Sequence, residues 1–505
     1  MVVPPAGRER VNFHRSVVAT SLAAAEAGLM VWTPSLTGEG DSSSAVESAD
    51  LAAAWVADVT AVVGVAARAA LGLPLTLVGV RLGAAIAGRV EHPAVTARLE
   101  WDPVSGRHYV RAQLAMRMLT LSDGNFTPPD ETEFIGSALS SGQLDSLRRL
   151  HLPPRGQVRR ILPDPDPDCN ADSHPQLGRV ARAGVASVVA RAAVAEPHAL
   201  TWEPLPSTIV VPVGSGRGVR ETFVLVGPHR LVGVLSEPAE GPADRVGVVF
   251  TATGSELREG PAAVWADLAR RLADEGVSCL RADRRLIGDA VDAGSDIAPN
   301  PYSEDGVADV CAAVDMMAGR GYDVLAVGLC VGAWLALRAA ARTPVVETVA
   351  INTLVWADSA DCAAAGFERS LAWSRSGVAL RTAVAGGAAC RRPADFARLG
   401  IARVRGAIAR RSWVRPAFLA MRYGGMGVGV LVGAARRARV TIIHGSGEAR
   451  VFELLGGHHT VRVLGLRAVV DTVECPGLEH SLFTRWSREA VARVVVRRVD
   501  AHRGR

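Results

Sequence analysis

The chain has 505 residues, too many for one ordinary hydrophobic core, and nearly half of them are apolar, so two domains with a substantial insertion are the starting expectation. All 56 basic residues are arginine, and a net charge of +5 interleaved with 51 acidic residues excludes the dense basic stripe of a nucleic-acid or anionic-membrane binder. Seven scattered cysteines without CxxC spacing exclude a disulfide framework or a cysteine zinc site; Arg or Asp interrupts every long apolar run, and "MVVPPAGRER" does not read as a signal peptide, so a reduced cytoplasmic protein with no integral membrane segment is expected.

In chain order, "MVVPP" predicts a strand, "RSVVATSLAAAEAG" a helix, "LMVWTPS" a strand and "DLAAAWVADVTAVVGVAARAALG" a long helix. "LPLTLVGV" is a strand that runs into a glycine turn, followed by a short Ala-rich helix and the strand "TARLEWDPV". Recurring Pro and Asp make 161–176 a loop, and the Pro-rich stretch 203–219 is the predicted linker between a first domain, 1–202, and a second, 220–505.

Beyond the linker the rhythm is clearer. "RETFVLVG", "RLVGVLSEP" and "VGVVFTATG" are strands, "AAVWADLARRLADEG" is a helix stopped at Gly276, and "SCLRAD" is a strand. The helix "EDGVADVCAAVDMMAGRG", the strands "DVLAVGL" and "VETVAINTLVW", and later "ARVTIIHGSGE", "LRAVVDTVECPG" and the helix "REAVARVVVRRV" complete it. Such alternation predicts a mostly parallel sheet with helices on both faces. Residues at about 360–430 break the rhythm and are predicted as a helical insertion, the place where a lid over a pocket or a surface insertion belongs.

The two halves align around one pattern. In "VGLCVGAWLA" Gly328 and Gly332 flank Cys330 between a buried strand and a helix, a variant of the G-x-S-x-G elbow whose small neighbours allow a nucleophile on a strained turn. A following helix directs its positive end at the sulfur and favours the thiolate. In "VGVRLGAAIA" Gly79 and Gly83 flank Arg81, and a guanidinium that stays protonated is no nucleophile. The first half therefore reads as a degenerate, non-catalytic copy from an old duplication, with Arg81 left to bind a carboxylate or phosphate or to serve a structural role. No acid and histidine follow at matching positions in the first half; His198, in "EPHALTW", comes nearest to such a place.

A nucleophile needs a base and the base an orienting acid. His480, in "CPGLEHSLF", follows the last strand, and Glu448, in "IIHGSGEAR", follows the strand before it, giving the order Cys330, Glu448, His480. His444, His458 and His459 rival His480; Glu453 and Glu479 rival Glu448. Oxyanion donors are expected at the amide of Val331, directly after the nucleophile, and at Gly254 or Ser255 in "TATGSELREG".

On these motifs both halves resemble the α/β-hydrolase superfamily. The first half resembles the type-two exosortase A-associated hydrolases through "VVPPAGRERVNFHRSV", "TPSLTGEGDSS" and "LVGVRLGAAIA"; the second resembles the type-one members through "LVGVLSEP", "LREGPAAVWADLARRLADEG", "LRADRRLIGDA", "GLCVGAWLAL" and "CPGLEHSLF". The resemblance implies two tandem α/β-hydrolase-like domains in contact within the chain. Two departures stand out: the chain starts at a strand the family has third, and "RRLIGDA" carries Ala290 where Ser is usual.

The expected activity is hydrolysis of a small-molecule acyl ester or thioester by Cys330, His480 and Glu448. Acyl transfer through the same acyl-enzyme, a double pseudo-hydrolase scaffold, and a dienelactone hydrolase-like ring opening are the alternatives. Neither a metal cluster nor a nucleotide-binding glycine loop is visible, so no metal and no cofactor is expected.

Overall fold

A computed structural model describes residues 1–42, 48–70, 73–120, 131–154, 158–163, 169, 178–192, 205–214, 218–241, 243–290, 299–368 and 427–503. Their contacts form two compact units, Met1–Pro299 with Gly477–Arg505, and Asn300–Pro476. The units divide the chain elsewhere than at the 203–219 stretch, since Met1–Pro299 runs through it.

In the first unit the sheet of the N-terminal half contains β1 (Val2–Val3), β2 (Leu75–Val80), β3 (Val95–Trp101) and β6 (Arg159–Ile161), hydrogen-bonded in that order and all parallel. Side chains alternate across it as strand geometry requires. Val3, Leu75 and Leu77 join the core under α2 (Leu51–Ala69), α3 (Leu82–Ala87), α4 (Gly106–Thr120) and α5 (Ser141–Arg148). Val2, Val78, Val80 and Trp101 join the opposite core under α1 (Arg8–Glu26) and α6 (Arg182–Ala192). A hairpin of β4 (Glu131–Glu133) and β5 (Ala138–Ser140) stands apart.

Two sequence expectations change here. "LMVWTPS" forms no strand: it contributes one ladder-like bond, Val2 N–H to the Trp32 carbonyl at 2.8 Å, and then leaves for the loop carrying Glu39 and Asp41. Helix α2 is long and apolar enough, by length and composition, to cross a membrane. Its Trp55, Val59, Val63 and Ala66 stripe packs in the core, and Asp58 accepts hydrogen bonds from the Thr37 N–H and hydroxyl at 2.7 and 3.0 Å.

The same unit holds the first strands of the second half, β7 (Thr208–Val211), β8 (Val219–Val226), β9 (Leu231–Pro238), β11 (Ser278–Ala282) and β10 (Val246–Thr251), in that spatial order. β7 lies inside the predicted linker, where it pairs antiparallel with β8. The β8–β9 and β9–β11 pairs are antiparallel too, whereas β10 and β11 are parallel and joined through α7 (Val264–Asp274). The final helix, Arg485–Arg503, belongs to this unit.

The second unit is a parallel run of β12 (Asp323–Leu329), β13 (Val345–Ile351), β14 (Arg439–His444) and β15 (Val470–Glu474), adjacent in chain order, with α8 (Glu304–Ala318) before β12 and α9 (Val331–Ala340) after it. The molecule is thus an α/β protein with mostly parallel sheets. Most of the insertion predicted at 360–430 lies outside the described residues, as does His198.

Candidate active site

Each half builds the same sharp turn. Cys330 sits between β12 and α9 at φ 54°, ψ −111°, and Arg81 sits between β2 and α3 at φ 54°, ψ −121°. A positive φ is costly for a side chain with a Cβ, and both halves hold one such residue at a strand-to-helix junction. The surrounding bonds match as well. Cys330 N–H donates to the Ile351 carbonyl at 2.8 Å and Arg81 N–H to Trp101 at 3.0 Å; Asn352 N–H donates to Ile443 at 2.8 Å and Asp102 N–H to Ile161 at 2.9 Å. Asn352 and Asp102 are themselves left-handed, with φ of 46° and 42°.

Small neighbours are a requirement of this turn. A Cβ on Gly79 would lie 2.4 Å from the Ala84 Cα, and one on Gly83 would lie 2.4 Å from the Val3 carbonyl oxygen. Gly328 and Gly332 occupy the equivalent places around Cys330 and are buried.

What the two elbows present differs completely. The Cys330 thiol is half-buried at the start of α9. Val331 opens that helix, where geometry leaves its amide without an intrahelical acceptor. Arg81 is buried and already bound: Nε and Nη2 donate to the two carboxylate oxygens of Glu9 at 3.0 and 3.1 Å, and Nη1 donates to Asp102 at 2.9 Å. Of the two roles open to Arg81, the structural one is occupied.

Glu448 stands in the first turn of the helix Ser446–Leu454, just past β14, and is half-buried. His480, in the first unit, is half-buried in the loop leading to the final helix. Glu479 beside it is no free rival for Glu448. Its carboxylate accepts the N–H groups of Ser481 at 2.8 Å and Thr484 at 3.0 Å, fixing the loop in which Leu482 takes φ 54°. Burial raises the Glu479 pKa, and those amides with His480 oppose the rise.

The rival histidines have other surroundings. His444 is buried at the end of β14 with its ring 5.5 Å from that of Phe452; burial first, and His458 second, push its pKa down to about 4. His458 meets the same Phe452 ring edge-on at 5.1 Å, and His459 Nδ1 pairs with Arg462 at 3.1 Å. Glu453 is exposed.

The loop after β10 holds Gly254, with φ 51°, and half-buried Ser255. It is braced by charges that the sequence motifs did not reveal. Arg284 donates to the Gly254 carbonyl, and helix α1 of the N-terminal half supplies Arg8 to Glu256 and Arg10 to Glu259. Arg8 also lies over the Phe483 ring at 5.2 Å, two residues before Arg485 opens the final helix. Asp41, from "TPSLTGEGDSS", bonds Arg281 and pairs with Arg258 at 2.6 Å; although burial opposes it, these two guanidiniums hold the Asp41 pKa at about 2. Arg258 continues to Asp283 and Asp289, each at 2.7 Å. The clustering of "GRER", "GEGD" and "LREG" is a faint sequence trace of this network, because the partners of Arg8, Arg10 and Asp41 lie more than two hundred residues away.

Among the described residues no group of His, Cys, Asp or Glu could hold a metal ion.

No family model and no curated protein matches the chain. Solved structures similar to it include an esterase of Pyrobaculum calidifontis, at 16% identity over 55% of this chain and 84% of that one, with a TM-score of 0.31. A dienelactone hydrolase from Anabaena variabilis is similar at 16% identity over 55% and 95% of the two chains, TM-score 0.31. A protein from Xanthomonas campestris described as an α/β serine hydrolase without lid is similar at 13% identity over 57% and 97%, TM-score 0.31.

Proposed function

We propose that the protein hydrolyses a small-molecule acyl ester or thioester at Cys330. The observation that carries this reading is the Cys330 elbow itself, a left-handed residue between a buried strand and a buried helix, with a half-buried thiol at the helix start. That conformation is strained, and a reactive group held at the start of a helix is what such strain commonly serves.

In this reading the Cys330 thiolate attacks the acyl carbonyl, His480 accepts the thiol proton and returns it to the leaving group, and Glu448 orients the imidazole. The developing oxyanion is met by the amides of Val331 and of Gly254 or Ser255. Water, activated by His480, then cleaves the acyl-cysteine bond and restores the thiol. No step needs a metal or cofactor. The first half takes no chemical part, since Arg81 is occupied by Glu9 and Asp102.

The test is intact mass after brief incubation with short-chain aryl esters and acyl thioesters, for the wild type beside Cys330→Ala and His480→Ala. One added acyl group that vanishes in Cys330→Ala is expected; its lifetime with added alcohols separates hydrolysis from transfer. A folded wild type that neither acylates nor turns over any member of the panel sinks the proposal.

A further inference from the structure

The first unit contains a cavity of about 620 Å³, and none of Cys330, Glu448 or His480 lines it. One wall comes from the N-terminal half, with Trp55, Tyr109, Leu139 and Leu147; the other comes from the start of α7 and from Arg488 on the final helix. A space of this size suits a small organic molecule.

Most polar groups around it are already engaged. Glu39 accepts the Gly7 N–H at 3.0 Å and faces Arg10 at 3.6 Å; Glu489 faces Arg271 at 3.8 Å. Ser140 and Gln143 are spent on a capping box, and the Trp55 indole N–H donates to the Thr37 carbonyl at 2.9 Å. Two groups remain. The Tyr109 hydroxyl belongs to a buried side chain and has no hydrogen-bond partner among the described residues. The Arg488 guanidinium donates to the Phe483 carbonyl at 2.6 Å but has no carboxylate within 4.0 Å among the described residues. Its burial is deep enough to lower its pKa, against the more distant pull of Asp267, Glu133 and Glu479.

Both of these groups can donate, and a half-buried guanidinium whose one hydrogen-bond acceptor is a neutral carbonyl keeps donors for an anion. We propose that this cavity is a binding site for a small organic oxyanion, a carboxylate or phosphate on a short apolar body. Arg488 and Tyr109 donate to the head, and Trp55, Leu139 and Leu147 flank the body. The site is separate from the chemistry proposed at Cys330 and stands without it.

Calorimetric titration of the full chain with hexanoate, hexyl phosphate and uncharged hexanol tests this. Saturable binding of at least one anion is expected, with hexanol inert, and the tighter anion identifies the head group. Arg488→Met should weaken it by roughly 10- to 100-fold and Tyr109→Phe by about 3- to 10-fold, as loss of a charged and a neutral hydrogen bond implies. Arg488→Lys should fall between wild type and Arg488→Met. Carboxymethylation of Cys330 should leave the affinity unchanged; loss of binding there would place the anion at the cysteine and overturn the site. So would failure of both anions to saturate the folded wild type, equal binding of hexanol, or wild-type affinity in Tyr109→Phe, a variant that removes only one oxygen and keeps the test alive if Arg488→Met does not fold.

Discussion

Replacing Arg81 by alanine is the sharpest test of how the first elbow was put to use. Glu9 is wholly buried, and Arg81 meets both its oxygens at 3.0 and 3.1 Å while a third donor meets Asp102 at 2.9 Å. Removing one partner of a buried, hydrogen-bonded ion pair strands the other charge in a low-dielectric interior, which costs about 3–5 kcal/mol. An exposed pair supplies the contrast. Glu304, half in solvent, meets Arg338 and Arg342 at 2.6 Å each, and Glu304→Gln should cost under about 1 kcal/mol. Urea denaturation of the full chain, followed by circular dichroism, measures both. A double-mutant cycle with Glu9→Gln should recover a coupling of at least about 1 kcal/mol, because the double variant no longer strands the wholly buried Glu9 charge and leaves only the partly exposed Asp102 without its cation. If Arg81→Ala costs no more than Glu304→Gln, or if the cycle shows no coupling, the reading of Arg81 as a structural cation fails.

Further outcomes are expected elsewhere. The folded pKa of His444, about 4, lies below the ordinary value of 6.5, so stability from burying the neutral ring is complete above pH 6.5 and is lost as pH falls toward 4. Between pH 7.5 and 5 the wild type should therefore lose about 2 kcal/mol relative to His444→Phe, and parallel stability curves would refute this. Gly83→Ala should destabilise the chain by about 2 kcal/mol or more and lower its melting temperature, since the new methyl overlaps the Val3 and Pro4 carbonyls; an unchanged melting temperature would contradict the close approach. In Glu479→Ala the amides of Ser481 and Thr484 should exchange with deuterium roughly tenfold faster, with wild-type protection counting against Glu479 as the brace of the His480 loop. Arg10→Ala should raise exchange across 254–260 without unfolding β10, as expected if Arg10 on Glu259 steadies that loop.

The sequence was most readable where local rules suffice. Both elbows follow from glycines spaced around one residue between a β-branched run and an Ala-rich run, and the structure places Arg81 and Cys330 at nearly equal dihedrals. Partners were the hard part. Nothing in "GRERVNF" announces that Glu9 will take Arg81, 72 residues away, because a buried ion pair is set by tertiary packing and leaves no periodic signal. β7 was hidden among prolines that read as a linker, and its side chains Thr208–Val210 are exposed, as suits an edge strand. "LMVWTPS" has strand composition, yet only Trp32 finds a backbone partner on β1, so propensity yielded to the available sheet edge. Glu479 and Glu448 look alike in sequence; only hydrogen bonds to Ser481 and Thr484 commit the former to its own loop.

The Arg81 cluster also constrains how the first half could change in the future. Placing cysteine at 81 would put a thiol on an intact elbow, but Glu9 and Asp102 would lose the cation they surround. A viable thiol at that position therefore requires at least the loss of the Glu9 charge at the same time, and each single step alone passes through a destabilised chain. Three charges bound together at one strained turn thus make a reactive side chain there costly to install by any single substitution.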